Sequence, residues 1–122
     1  MKESTTVDFV ARGESPEQWQ MVLVEEGPWV SPIEDELRRV QGRLYGCIDA
    51  ALDGLLAEKF PESCGKDIVV RLDCYNVSEK DVSDFFDRFS RGVFLGSDYK
   101  SALEQSEFVR SIAFVVNFDT GR

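Results

Sequence analysis

Along residues 31–58 the apolar side chains Ile33, Leu37, Val40, Leu44, Ile48, Ala51 and Leu55 recur at spacings of three and four. That period belongs to an α-helix with one buried stripe. Ser31 at the cap, Pro32 at the first helical position and Glu34, Asp35 and Glu36 in the first turn mark its start. The spacing predicts a helix over residues 32–58, stopping before Pro61. A stripe this long needs an apolar surface to lie on, and the rest of the chain must supply it.

The flanking segments change period from 3.6 to two. Residues 6–12 alternate, with Val7, Phe9 and Ala11 on one face and Asp8, Val10 and Arg12 on the other. Residues 18–26 place Trp19, Met21 and Leu23 on one side, and the Gly/Pro-containing turn 13–17 makes the pair a hairpin. Residues 67–75 form a third strand with Ile68, Val70, Leu72 and Cys74 inward. Ser78 caps a second helix lined by Val82, Phe85, Phe86 and Phe89 and ended by Gly92. Residues 93–107 are ambiguous between helix and a loop with one helical turn, and 108–119 read as a last strand with Ile112, Phe114, Val116 and Phe118 on one face. The expected fold is α+β in the order ββαβαβ, a four-stranded sheet with two amphipathic helices packed on one face. A length of 122 residues gives a single domain, 1–122.

Charge narrows the partners. Acidic residues number 23 against 14 basic ones, a formal net charge of -9. Nucleic-acid binding needs clustered Lys and Arg, so no nucleic acid is expected, and an acidic surface attracts basic proteins. No run of about 20 apolar residues offers a membrane span, and the first residues lack the apolar stretch of a secretory signal. Three cysteines, an odd number in a chain of this size, fit reduced thiols and a cytoplasmic location.

Catalytic constellations are sparse. The chain has no histidine, so Ser-His-Asp and Cys-His systems and imidazole ligation are excluded. Cys47, Cys64 and Cys74 are spaced too widely for a zinc knuckle, and no glycine-rich phosphate loop is present, so no cofactor is expected. Cys64, beside Gly65 and Lys66, is the one thiol with a cation nearby to favour its thiolate; Cys47 and Cys74 fall in or beside apolar stripes. Helix acids Glu34, Asp35, Asp84 and Asp87 each precede an Arg by four residues, which is ordinary solvated pairing. Asp49 and Asp53 have no such base and are the pair through which a cation or a basic partner would be held.

Two surfaces stand out. Gly42, Gly46, Ala50 and Gly54 recur every four residues beside the buried stripe. Glycine in a helix costs about 0.5–1 kcal/mol relative to Ala, so the ridge suggests close approach of another backbone, from the same chain or a partner helix. The sheet face away from the helices would carry Val10, Val22, Val24, Val69 and Tyr75 with Arg12, Gln20, Arg71 and Asp73. Apolar patches of this kind mark partner contacts, and residues 93–107 are the segment available to cover this one.

Several segments share a pattern: Val7-Asp8-Phe9, then Trp29, then Val40-Gln41-Gly42-Arg43-Leu44, then Phe60-Pro61 with Gly65, then residues 68–72. In these the chain resembles a family of small uncharacterised bacterial proteins with a Val-Asp strand, a Gln-x-Lys/Arg-Leu helix segment and a Tyr/Phe-Pro-x-x-x-Gly loop. The resemblance covers residues 7–90 and departs from the family at Gly42 and in the longer C-terminal strand region. It implies a bacterial origin and the same fold, and carries no activity. The expected function is a non-enzymatic protein-binding or accessory protein that docks a protein partner or itself as a homodimer. An acidic inhibitor or immunity-like protein is an example of that class. The alternative is an enzyme using carboxylates and a bound divalent metal, with Asp49 and Asp53 first among its candidates.

Overall fold

The computed structural model describes residues 7–119. Strands β1 (Phe9–Arg12) and β2 (Gln18–Glu26) lead into helix α1 (Ile33–Asp53), the short α2 (Leu55–Lys59) and a 3₁₀ turn, Pro61–Ser63. Strand β3 (Lys66–Tyr75), helices α3 (Glu79–Gly92) and α4 (Ser97–Gln105), and strand β4 (Val109–Asp119) complete the chain. The architecture is the α+β arrangement that the periodicity predicts. The sheet runs in chain order, β1-β2-β3-β4, with β1 antiparallel to β2 and the other neighbours parallel.

Alternation sorts the strands into an inner and an outer set. Met21, Leu23, Ile68, Val70, Leu72 and Ile112 form one core with Val40, Leu44, Ile48, Val82, Phe86 and Phe89. Leu56 of α2 belongs to the same core, and Tyr99 and Leu103 of α4 pack against it. All four helices therefore lie on one face of the sheet, two more than the sequence predicts. The α4 helix occupies the ambiguous 93–107 region and packs on the helix side, so it does not fold back over the other face. Phe114 of β4 meets the rings of Phe86, Phe89 and Phe94 at 6.3, 5.7 and 6.2 Å.

Three local expectations change. The long helix breaks at Gly54, whose φ of 97° is left-handed and gives α1 a glycine C-cap. A Cβ there would lie 2.9 Å from the Phe108 ring, so the position requires glycine for space as well as conformation. The break turns Leu55 outward, 53% exposed, and buries Leu56 in its place. At the other end Pro32 is the cap, and the Ser31 side chain makes no capping bond. Instead the Glu36 carboxylate accepts the Ser31 backbone N–H at 3.4 Å. Strand β1 is also turned over relative to the expectation. Val10 pairs with Met21 and Arg12 with Trp19, which puts both on the helix side, while Phe9 opposite Val22 and Ala11 opposite Gln20 face outward. Ser78 caps α3 as expected, accepting the Asp81 N–H.

Candidate functional site

The outer face of the sheet is built by parity. β1 contributes Phe9 and Ala11, and β2 contributes Gln20, Val22 and Val24. β3 adds Val69, Arg71, Asp73 and Tyr75, and β4 adds Ala113, Val115 and Asn117. Since the helices all lie on the other side, this face is covered by no element among the described residues. Phe9 is 48% and Val115 40% exposed at its two flanks. Between them Val22, register partner of both Phe9 and Arg71, is fully buried.

Arg71, Asp73 and Tyr75, singled out from the sequence, share this face, Arg71 and Asp73 towards its middle and Tyr75 at the C-terminal end of β3. Arg71 Nη2 and Nε donate to Asp73 at 2.8 and 3.1 Å, and Nη1 donates to Gln20 Oε1 at 2.8 Å. Asn117 Nδ2 donates to the same carboxylate at 3.0 Å. Burial pushes the Asp73 carboxyl up, but the bonds from Arg71 and Asn117 outweigh it and hold it below the usual aspartate value. The carboxylate is thus fixed and ionised, and its guanidinium partner is held in turn by Gln20. Asp73, Tyr75 and Asn117 also border a depression of about 300 Å³ at the C-terminal ends of β3 and β4. Val10 and Arg12, expected here, are not part of the face; Arg12 lies over the Trp19 ring at 4.8 Å and pairs with Glu62.

A second arginine–carboxylate cluster sits beneath α1. Glu25, 4% exposed on the inner parity of β2, receives Arg39 Nη2 and Nη1 at 2.7 and 2.9 Å and Arg43 Nη1 at 2.7 Å. Trp29 Nε1 donates to it at 3.3 Å. Asp8 Oδ2 accepts both Arg43 Nη2 at 2.9 Å and the Val24 N–H at 2.6 Å. Burial raises the Glu25 pKa, and the bonds from Arg39 and Arg43 more than reverse it. Through Arg39 and Arg43 the cluster ties α1 to β2, and through Asp8 it reaches the residue that precedes β1. Sequence reasoning missed this cluster, although its signal is present: a glutamate in an inward strand position, and two arginines four apart on the helix.

The other candidates, Gly42, Gly46, Ala50, Asp49 and Asp53, lie on α1. Gly42 is exposed, and a Cβ built on it meets no atom of the described residues within 4 Å. Gly54 is a cap, and Gly46 and Ala50 are half-buried. Asp49 accepts the Tyr99 hydroxyl at 2.8 Å, which ties α4 to α1. Asp53 is exposed in the last turn of α1. Among the described residues no group of three His, Cys, Asp or Glu is placed to hold a metal. All three cysteines are free. Burial pushes the Cys47 and Cys74 thiols up to about 12, so both are protonated at neutral pH. Lys66 is bound to Glu17 at 3.1 Å, while Cys64 Sγ donates to the Glu107 carbonyl at 3.6 Å.

An open groove of about 780 Å³ also runs between α1, α3 and the α3–α4 connection, lined by Tyr45, Phe85, Phe89, Tyr99, Arg88 and Asp98 among others. Its aromatic walls are filled by their own contacts, Tyr45 with Phe89 at 5.1 Å and with Tyr99 at 5.4 Å. No helix among the described residues is long and apolar enough to cross a membrane. No protein-family model, curated protein or solved structure matches this chain.

Proposed function

We propose that this chain is a non-enzymatic binding protein that docks a protein partner on the outer face of its sheet. The observation that supports this most is the outer face itself, which no element among the described residues covers, with Phe9, Val24 and Val115 around a preset Arg71–Asp73 pair. Apolar surface with a few fixed polar groups, and no competing cover among the described residues, is the composition of a contact surface. A guanidinium already held by Asp73 and Gln20 loses little freedom on binding. The net charge of -9 selects a basic partner and accelerates its approach. An inhibitor or immunity-like role fits a small acidic chain of this kind. The alternative, metal chemistry at Asp49 and Asp53, draws no support from the Tyr99-bonded carboxylate and its exposed neighbour.

The test is capture of partners by the immobilised chain from lysate of the organism that encodes it, then titration of the captured protein against wild type and Tyr75→Ala. The expected result is a salt-sensitive complex that weakens about tenfold or more in the variant, the range of an aromatic anchor in a contact surface. Affinity unchanged by Tyr75→Ala would move the docking surface elsewhere. Divalent-metal-dependent turnover lost in Asp49→Asn would favour the alternative.

A further inference from the structure

The outer edge of β4 borders the docking face and offers main-chain groups where that face offers side chains. Among the described residues β4 pairs with β3 alone, so one side of an 11-residue strand presents unpaired N–H and C=O groups. Natural edges are usually blunted by brevity, charge, proline or a bulge. The opposite edge follows that rule: β1 has only four residues and ends in Arg12. β4 does not. Residues 111–118, Ser-Ile-Ala-Phe-Val-Val-Asn-Phe, carry no charge, no proline and no glycine, in a chain that is 30% charged. Its one irregularity is at the start, where the register slips past Arg110, and the Arg110 guanidinium turns back to Asp67 at 2.8 and 2.9 Å. Val115 is 40% exposed on the outer side, and Phe114, Val116 and Phe118 are only half-buried on the helix side.

We infer that this edge pairs antiparallel with β4 of a second copy, joining two four-stranded sheets into one of eight. The strand is complementary to itself. Pairing about Val115 sets Val115 against its own copy, Phe114 against Val116, Ile112 against Phe118, and Ser111 against Asp119. Aromatic and β-branched residues are thereby matched, and no like charges face each other. Electrostatics point to the same occupant. Two copies at -9 repel over most of their surface, so they meet best along an uncharged stretch, whereas a basic partner finds no complement there. Main-chain bonding of this kind is an established mode of strand addition. The two-fold axis stands normal to the sheet, which keeps both helix layers on one side and makes the two docking faces continuous.

The test is the solution mass of the full chain and of two opposite-charge variants, Val115→Lys and Val115→Glu, by light scattering across micromolar to millimolar concentration. Wild type is expected at twice the 13.8 kDa chain mass, and each variant alone at the single mass, because like charges then meet on the axis. An equimolar mixture of the two is expected to recover the doubled mass. Far-ultraviolet dichroism confirms that each variant is folded; should either fail, Val115→Arg or Val115→Asp, which keeps the same charge on the axis, replaces it. A wild type that stays single at every concentration overturns the inference. So does a doubled mass that survives these substitutions, since the dimer would then form elsewhere. Either outcome leaves docking of a basic partner on the open face untouched.

Discussion

Glu25 under α1 and Asp73 on the outer face are both strand carboxylates held by arginine, and their surroundings set them different tasks. Glu25 has a side chain 5% exposed, with Arg39 and Arg43 descending on it from α1, so each bond joins the helix layer to the sheet. Asp73 and Arg71 lie on the same strand two residues apart, and the pair reaches only Gln20 and Asn117 within the sheet. The first cluster crosses between layers, where its loss uncouples them. The second spans strands already joined by backbone bonds, so its geometry adds little to the fold and presents a rigid polar centre outward. Burial alone does not separate the two; what the bonds connect does.

The largest expected effect breaks that contrast on the helix side. Glu25→Gln leaves Arg39 and Arg43 facing an amide where a carboxylate neutralised them. Breaking a buried pair costs about 3–5 kcal/mol, and because Arg39 is 47% exposed the expected loss is about 2–3 kcal/mol. Urea unfolding at neutral pH measures it; a loss under about 0.5 kcal/mol would mean the clamp does not hold the layers together.

Acid sharpens the comparison with a smaller, shared effect. Glu25 and Asp73 both titrate below their ordinary values in the folded chain, and Asp67, hydrogen-bonded by Arg110 and Ser111, is held at about 2. The unfolded carboxyls take up protons at a higher pH, near 4. As pH falls through that range the unfolded state binds more protons, so the stability these groups contribute above pH 5 is progressively lost. The urea midpoint is expected to hold between pH 6 and 8 and to fall below about pH 4.5. Its fall should be shallower in Glu25→Gln and in Asp73→Asn; a midpoint that rises on acidification would reverse the sign of the account.

Much of the fold was legible because its signals are local. The period-two runs placed β2 and β3 to within a residue, and Ser78 marked the start of α3. The errors came from tertiary effects. Gly54 reads as one more small residue on a helix, and only the Phe108 ring packed against it shows why the chain turns left-handed there. Val10 and Arg12 went to the wrong face because a hairpin's parity depends on register, and a slip of one residue turns every side chain over. Arg71, Asp73 and Tyr75 were found because parity within one strand is enough to align them. Gln20 and Asn117, which complete their bonds, come from strands whose order the sequence left open.

On the open face the expected cost in stability is the smallest. Asp73→Asn should cost about 1–2 kcal/mol, less than Glu25→Gln, because Asp73 is buried but its Arg71 partner is 30% exposed and the amide keeps one acceptor for it. The most direct test of the central claim, that this face and not the helix side docks the partner, is therefore a crossed titration. The partner's dissociation constant is measured against Arg71→Ala and against Arg39→Ala, at a temperature where both are folded. The account predicts a loss of about tenfold or more for Arg71→Ala and about twofold or less for Arg39→Ala. Equal losses, or a larger loss for Arg39→Ala, would contradict it.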